Sequence, residues 1–273
     1  MAQPQDSVKP TGLGLRVISA VVLAPLVLGV VWVGGLALGF LCAAAAVLMS
    51  LEWLRLTGTE RPHWAAAVMI GAILAAILTV TKGRPDWAVA LLMLSAIGMA
   101  GISFAERKAA WVAAGILYVG LPSVALLWLR GLDARGLQTL IWILALVWAV
   151  DIGAFFSGRA LKGPKLAPRI SPNKTWSGLS GGILAAVAVG LGAAALSGAE
   201  PLSLATVSGG LAIIEQAGDL MESSIKRHFH VKDAGQLIPG HGGLLDRVDG
   251  LVAVLVTIAA VTVVSGGSPL TWR

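Results

Sequence analysis

The chain has 273 residues, 57% of them hydrophobic and only 12% charged, with a mean hydropathy of +0.85 and a formal net charge of +6. A soluble domain carries about twice that charged fraction, and one soluble core does not bury so much apolar sequence, so a soluble globular enzyme is excluded. The one cysteine, Cys42, lies in an apolar run and excludes both an intramolecular disulfide framework and a multi-cysteine zinc site.

Residues 1–15 are polar, and Pro4 and Pro10 discourage a helix there. The run from Val17 to Val33 lacks a convincing cleavage site and is followed by many more apolar runs, which argues against a cleaved signal peptide. Runs near the roughly 20 residues that cross a bilayer recur at 17–33, 36–54, 64–81, 87–104, 110–129, 137–157, 178–197, 202–220 and 250–265. The expected fold is all-α, a polytopic integral membrane bundle of about nine transmembrane helices. Residues 1–136 are expected to form N-terminal transmembrane helices, and 137–273 a C-terminal transmembrane catalytic region. The alanines from Ala43 to Ala46 and the Gly178/Gly182 pair allow close helix approach, and such small-residue faces also admit a homodimer. Trp53, Trp64, Trp87, Trp111, Trp128 and Trp272 fall near span ends, where an amphipathic ring prefers to sit.

With a cytoplasmic N-terminus, all of the 20 Lys and Arg residues except Lys82, Arg84, Arg130, Arg135 and Arg273 lie on the inside. That matches the positive-inside rule and puts both unusual polar segments on the cytoplasmic surface of a bacterial-type inner membrane. The cations sit in short loops between apolar runs. There they fit anionic membrane lipids or a phosphorylated substrate, and no nucleic acid is expected.

The first unusual segment runs from Asp151 through Arg159, Lys162, Lys165, Arg169, Ser171, Lys174 and Thr175 to Trp176. Cations and backbone amides in such a loop hold polyphosphates, although the orientation rule accounts equally well for its charge. It is not a Walker loop: Gly158 and Gly163 have the spacing, but Pro164-Lys165 stands where Lys-Ser/Thr belongs. Asp151 interrupts an apolar run, where an isolated carboxylate is expensive and by default functional. Glu215 lies similarly deep in the eighth run, and the sequence assigns it no role.

The second segment begins Asp219-Leu-Met-Glu222-Ser223 and continues through Lys226, Arg227, Lys232, Asp233, His241, Asp246 and Arg247 to Asp249. Asp219 and Glu222 are three apart and share a helix face, and Asp246 and Asp249 repeat that spacing. Two acidic pairs facing one another suit a hard divalent cation, magnesium above all, with ion pairing to Lys226, Arg227 and Arg247 as the bland alternative. His228, His230 and His241 have no matching zinc ligands, and His241, between glycines, reads as part of a tight loop approaching substrate. Carboxylates for magnesium beside cations for phosphate describe phosphoryl or nucleotidyl transfer between a lipid and a soluble substrate. Spacing alone does not separate a lipid kinase from a nucleotidyltransferase. A transporter also combines spans, acids and cations, but its ionisable groups belong near mid-membrane, often with internal repeats.

The run Ser223-x-Ile225-Lys226-Arg227, Lys232-Asp233-x-Gly235, Ile238-Pro239-Gly240-His241-Gly242-Gly243 and Asp246-Arg247-x-Asp249 closely resembles the signature of the phosphatidate cytidylyltransferases, or CDP-diglyceride synthetases. Gly158-Arg159, Lys165 to Pro168 and Ser171-Pro172-x-Lys174-Thr175-Trp176 resemble the same family's second block. Arg16 to Ala20 and Glu52-Trp53 are similar to it as well. The resemblance implies joining of CTP to phosphatidic acid, giving CDP-diacylglycerol and pyrophosphate; the rival enzyme reading is a CTP-dependent lipid kinase. It implies a magnesium-dependent site, with room for a second cation. Asp219 and Asp246 are the first expected metal ligands, with Glu222 and Asp249 supporting. Lys226, Arg227, Lys232, Arg247, Lys165, Lys174 and Ser171 are expected to hold phosphates, with Asp151 orienting a cation. Thr175, Ser223, Asp233, His241, Gly242 and Gly243 complete the expected site from the two motifs. One position departs: the family usually has an acid after Lys-Thr-Trp, and this chain has Ser177.

Overall fold

A computed structural model describes residues 24–59, 63–102, 107–132, 135–235 and 242–273. Arg16 to Ala20 and the segment Ile238 to His241 lie outside the described residues. Nine α-helices are present among those described: α1 (Ala24–Val33), α2 (Gly35–Leu56), α3 (His63–Thr81), α4 (Pro85–Ile102), α5 (Arg107–Arg130), α6 (Gly136–Leu161), α7 (Trp176–Ser197), α8 (Pro201–His228) and α9 (Leu245–Ser265). Six of them, α2, α3, α5, α6, α7 and α9, are long and apolar enough to cross a membrane, and α1 and α4 are shorter apolar helices. Leu36, Phe40, Leu94, Leu184, Leu196 and Val264 point outward, as lipid-facing side chains do. The protein is a polytopic helical membrane protein.

The helices begin and end where local chemistry dictates. Thr175 caps α7 by accepting from the Gly178 amide at 3.0 Å, and Gly198 closes that helix in the left-handed conformation at φ 73°. Glu200 caps α8, with Pro201 in the first turn, accepting from the Leu202 and Ser203 amides. Hydrogen bonds from Ser203 and Leu202 hold the Glu200 carboxyl below its ordinary range. The α8 helix passes the expected end at 220 and continues to His228, and α9 begins at Leu245 rather than 250. Both extensions carry the polar residues that meet one another, as described below.

Two apolar cores result. The first joins α2 to α5 around Trp53, Leu54, Met69, Ile73, Leu92 and Ile116. The second joins α6 to α9 around Leu140, Ile143, Leu146, Leu204 and Ile258, with Leu129 of α5 reaching in. The interfacial position expected for Trp53 is not found: it is 1% exposed, donates to the Trp111 carbonyl at 2.8 Å and stacks on Tyr118. Trp64 and Trp87 are exposed, in keeping with a place at an interface.

Between α6 and α7 the backbones almost touch. A Cβ on Gly153 would lie 2.7 Å from the Gly181 carbonyl oxygen, and one on Gly182 would lie 3.2 Å from that of Val150. The small residues read from the sequence at Gly178 and Gly182 therefore work as expected, with Gly153, Gly158 and Gly181 completing the contact. Beyond α6 the chain forms a hairpin that the sequence reading did not include, β1 (Lys165–Ala167) antiparallel to β2 (Ser171–Thr175). Lys165 pairs with Thr175 and Ala167 with Ser171, with an irregularity between them. Close packing of α6 on α7 fixes both ends of this hairpin. Replacing Gly181 by leucine drives a side chain into Ser157 and the Gly153 carbonyl; the expected loss is about 1–3 kcal/mol, read as a lower unfolding temperature in detergent.

Candidate active site

The polar residues gather where α8 ends and α9 begins. Lys226 is buried, and its ammonium lies 2.6 Å from Asp246 Oδ1 and 3.2 Å from Glu222 Oε1. Glu222 has its other oxygen engaged at 2.8 Å by the hydroxyl of Tyr118, from α5. Asp246 also accepts from the backbone amides of Ala234 and Gly243, each at 2.9 Å. An ammonium between two carboxylates, with every remaining oxygen hydrogen-bonded, is the arrangement in which buried charges persist.

A second pair stands beside the first. Lys174, from β2, meets Asp219 of α8 at 2.6 Å, and Ser223 donates to the other Asp219 oxygen at 3.2 Å. The Lys174 nitrogen is enclosed, with Asp219 as its ion partner. Asp249 accepts from the Gly250 amide at 2.8 Å, its other oxygen takes no hydrogen bond from a described residue, and it feels the charges of Asp219 and Glu222. Asp151, on α6, interacts with Glu215, Asp219, Lys174 and Arg247. Three helices and the hairpin therefore converge on one acidic and basic cluster.

The sequence-predicted residues divide accordingly. Asp219, Ser223, Lys174, Asp249, Asp151 and Thr175 come together around the hairpin and the facing ends of α8 and α9. Glu222, Lys226 and Asp246 also converge, but as a closed triad. Lys226 was expected to hold phosphate, whereas its ammonium is buried between two acids and ties α8 to α9. Arg227 reaches the Ile170 and Val231 carbonyls, at 3.4 and 2.9 Å, and so joins the hairpin to the end of α8. Lys165, Lys232, Asp233 and Arg247 are exposed around the cluster, and Ser171 is half-buried on the hairpin. Gly242 and Gly243 sit against Asp246, and His241 lies outside the described residues. Ser177, at the departing position, bonds to the Lys162 carbonyl and lies 3.1 Å from the Thr175 hydroxyl, closing the base of the hairpin. Among the described residues no group of three or more His, Cys, Asp or Glu side chains is arranged to hold a metal by itself.

Over residues 14–265 the sequence matches the Cytidylyltransferase family, a span that takes in both cores and every element of the cluster. The chain belongs to that family. It is 42% identical over 254 residues to the phosphatidate cytidylyltransferase of Brucella suis biovar 1 (strain 1330), covering 89% of this chain and 90% of that protein. It is 34% identical over 271 residues to the phosphatidate cytidylyltransferase of Pseudomonas aeruginosa, covering 93% and 98%. A third relative of the same name, from Bacillus subtilis, is 35% identical over 167 residues, covering 60% and 62%.

Within this cytidylyltransferase-family chain, the sequence reading did not name Tyr118, and it noted Glu52 only in the resembling Glu52-Trp53 pair without a role. Tyr118 holds Glu222, and Glu52, on α2, accepts from the amides of Leu244 and Leu245. Both carried a signal: Tyr118 is the single tyrosine, and Glu52 is an acid within an apolar run. Glu215, given no role from sequence, packs its carboxyl against Gly250, where a Cβ would lie 2.7 Å from it. Replacing Lys226 by methionine leaves two buried acids without their cation; the expected loss is about 3–5 kcal/mol, measured by thermal unfolding in detergent. Adding Glu222→Gln and Asp246→Asn to that variant is expected to recover part of the loss, because no uncompensated charge remains.

Proposed function

We propose that the chain transfers a cytidylyl group from CTP to phosphatidic acid, giving CDP-diacylglycerol and pyrophosphate. The observation that carries this reading is Lys174. An enclosed ammonium stands at 2.6 Å from Asp219, where a basic hairpin meets the acidic end of α8. That is a place for phosphate, and the relatives named phosphatidate cytidylyltransferase align along nearly the whole chain.

In this reading an oxygen of the lipid phosphate attacks the α-phosphorus of CTP, the bond to the β-phosphate breaks, and pyrophosphate leaves. The lipid phosphate is already ionised, so the protein positions reactants and offsets charge rather than removing a proton. Lys174, with Lys165 and Ser171 of the hairpin, and Arg247 with Lys232 on the facing side, hold phosphate oxygens. Thr175 fixes the hairpin to α7, and Asp151 orients Lys174.

The donor set fits magnesium at Asp219 and Asp249. Magnesium takes one or two carboxylates and completes its shell with water and substrate phosphates, which two acids on neighbouring helices allow. When bound, the ion neutralises charge developing on the phosphates. Glu222 and Asp246 have their oxygens engaged by Tyr118, Lys226, Ala234 and Gly243, and they support the site rather than ligate. A second cation beside Asp151 and Glu215 belongs to the same proposal, as does a homodimer through the small-residue faces.

We further propose that all nine helices cross or enter the bilayer, with the N-terminus and the site facing the cytoplasm of a bacterial inner membrane. The distribution of Lys and Arg supports this orientation. Residues 137–273 then carry most of the chemistry, and 1–136 brace it through Glu52 and Tyr118.

The test uses purified protein, phosphatidic acid, magnesium and CTP labelled separately at the α- and γ-phosphates. Label from the α-phosphate is expected in the lipid, and γ label in pyrophosphate. Label from the γ-phosphate in the lipid would establish a CTP-dependent lipid kinase instead. Asp219→Asn and Asp249→Asn are each expected to lower turnover by at least about 100-fold, with part restored by raising magnesium. Undiminished turnover at ordinary magnesium in both variants removes them as ligands.

A further inference from the structure

We propose that Glu52 is a positioning residue of the active site, holding the start of α9, with Gly235 and Gly243 beside it, in place within the first core. The proposal rests on the reading of the α8–α9 joint as catalytic. Glu52 is 2% exposed and lies on α2, far in sequence from either polar segment. Its two carboxylate oxygens accept from successive backbone amides, Leu244 to Oε1 and Leu245 to Oε2, each at 2.9 Å and across 192 and 193 residues. The α9 helix has no cap of its own, since Leu244 offers no side-chain acceptor. The first amides of a helix need acceptors, and a carboxylate also suits the positive end of the helix dipole. A serine or aspartate at 244 would meet both needs locally. Here the acceptor comes from α2, so the entry point of α9 is tied to the first core.

The glycines of the segment acquire a reason from the same contact. A Cβ on Gly235 would lie 2.7 Å from Glu52 Oε1, and one on Gly243 would lie 2.9 Å from Oε2. The backbone folds around the carboxylate on two sides, which only residues without side chains allow. Asp246 takes the neighbouring amides of Ala234 and Gly243. Two acids from distant parts of the chain thus share one stretch of backbone between them.

The next residue on α2 closes a ring of contacts. Trp53 stacks on Tyr118 with centroids 4.9 Å apart, and Tyr118 donates to Glu222. Glu222 pairs with Lys226, and Lys226 pairs with Asp246, one residue beyond Leu245. One turn of α2 therefore grips α9 directly and α8 through Tyr118. A shift of this grip moves Asp246, Arg247 and Asp249 together.

The experiment compares wild type, Glu52→Gln and Glu200→Gln in the full-length, detergent-solubilised protein. Glutamine keeps the size but turns an N–H group towards a backbone donor, so one amide loses its acceptor. Glu200 is an ordinary cap at the far end of α8, about 29 Å along the helix from Asp219, and controls for the loss of any helix cap. Hydrogen–deuterium exchange across residues 242–250 is expected to rise in Glu52→Gln and to stay at the wild-type level in Glu200→Gln. The KM for CTP of the folded Glu52→Gln enzyme is expected to rise by at least about tenfold, because misplaced groups bind and orient poorly. Unchanged exchange at 242–250 overturns the proposal. So does a lower maximal rate that merely tracks the loss of folded protein at unchanged KM, which is the mark of a purely structural cap. If the wild type itself transfers no cytidylyl group, the proposed function fails, and the exchange result alone decides whether Glu52 anchors the segment.

Discussion

A buried ammonium between two buried carboxylates sets the terms for the rest of this molecule. Lys226, Glu222 and Asp246 sit at a junction of apolar helices, where any one of them alone would be strongly unfavourable. Each therefore needs the other two, and each also needs a hydrogen-bond partner for its remaining atoms. One partner comes from far away, Tyr118 from α5, and the Ala234 and Gly243 amides come from just before α9. Satisfying one triad thus fixes the positions of three helices. The extension of α8 to His228 and the early start of α9 follow, because both bring the triad's members within reach.

Close backbone packing supplies the second constraint. Where α6 meets α7 the separation is set by Gly153, Gly181 and Gly182, against which Ser157, Ala185 and Val150 pack directly. The chain between these helices is consequently pinned at both ends, and its basic residues are held in a short hairpin rather than spread over a loose loop. Lys174 then falls on Asp219, and Arg227 on the Ile170 carbonyl. Small residues in a span, chosen for packing, determine where a cation stands in the site.

These two constraints divide the acids by task. Glu222 and Asp246 are buried against Lys226, whereas Asp219, paired with Lys174 and Ser223, keeps 26% of its side chain exposed. The sequence reading put Asp219 and Asp246 first as metal ligands, with Glu222 and Asp249 supporting. The environment separates them, because Glu222 and Asp246 are enclosed around an interior lysine while Asp219 stays partly open. In the proposed chemistry of placing phosphates and offsetting their charge, the triad's acids hold the frame while Asp219 and Asp249 face the substrate.

The helical membrane architecture was legible in the sequence because hydropathy and span length are local properties of about 20 residues. Most helix limits follow the apolar runs closely, and the Gly178/Gly182 contact was readable from spacing. The clustering of Asp219, Lys174, Asp249 and Asp151 was foreseeable in part, since charges in an apolar chain must gather. The tertiary structure alone decided which partner each acid takes. Nothing in the sequence joins Glu52 to Leu244, or Tyr118 to Glu222, because such pairs depend on which helices become neighbours and at what rotation. The same holds for Trp53, whose place near a span end suggested an interface, while packing put it in the core. Composition and periodicity determine that a segment enters the membrane and which residues are too costly to leave alone. Only the fold determines what satisfies them, because hydrogen bonds and ion pairs act over about 3 Å and the chain brings groups that close from almost 200 residues apart.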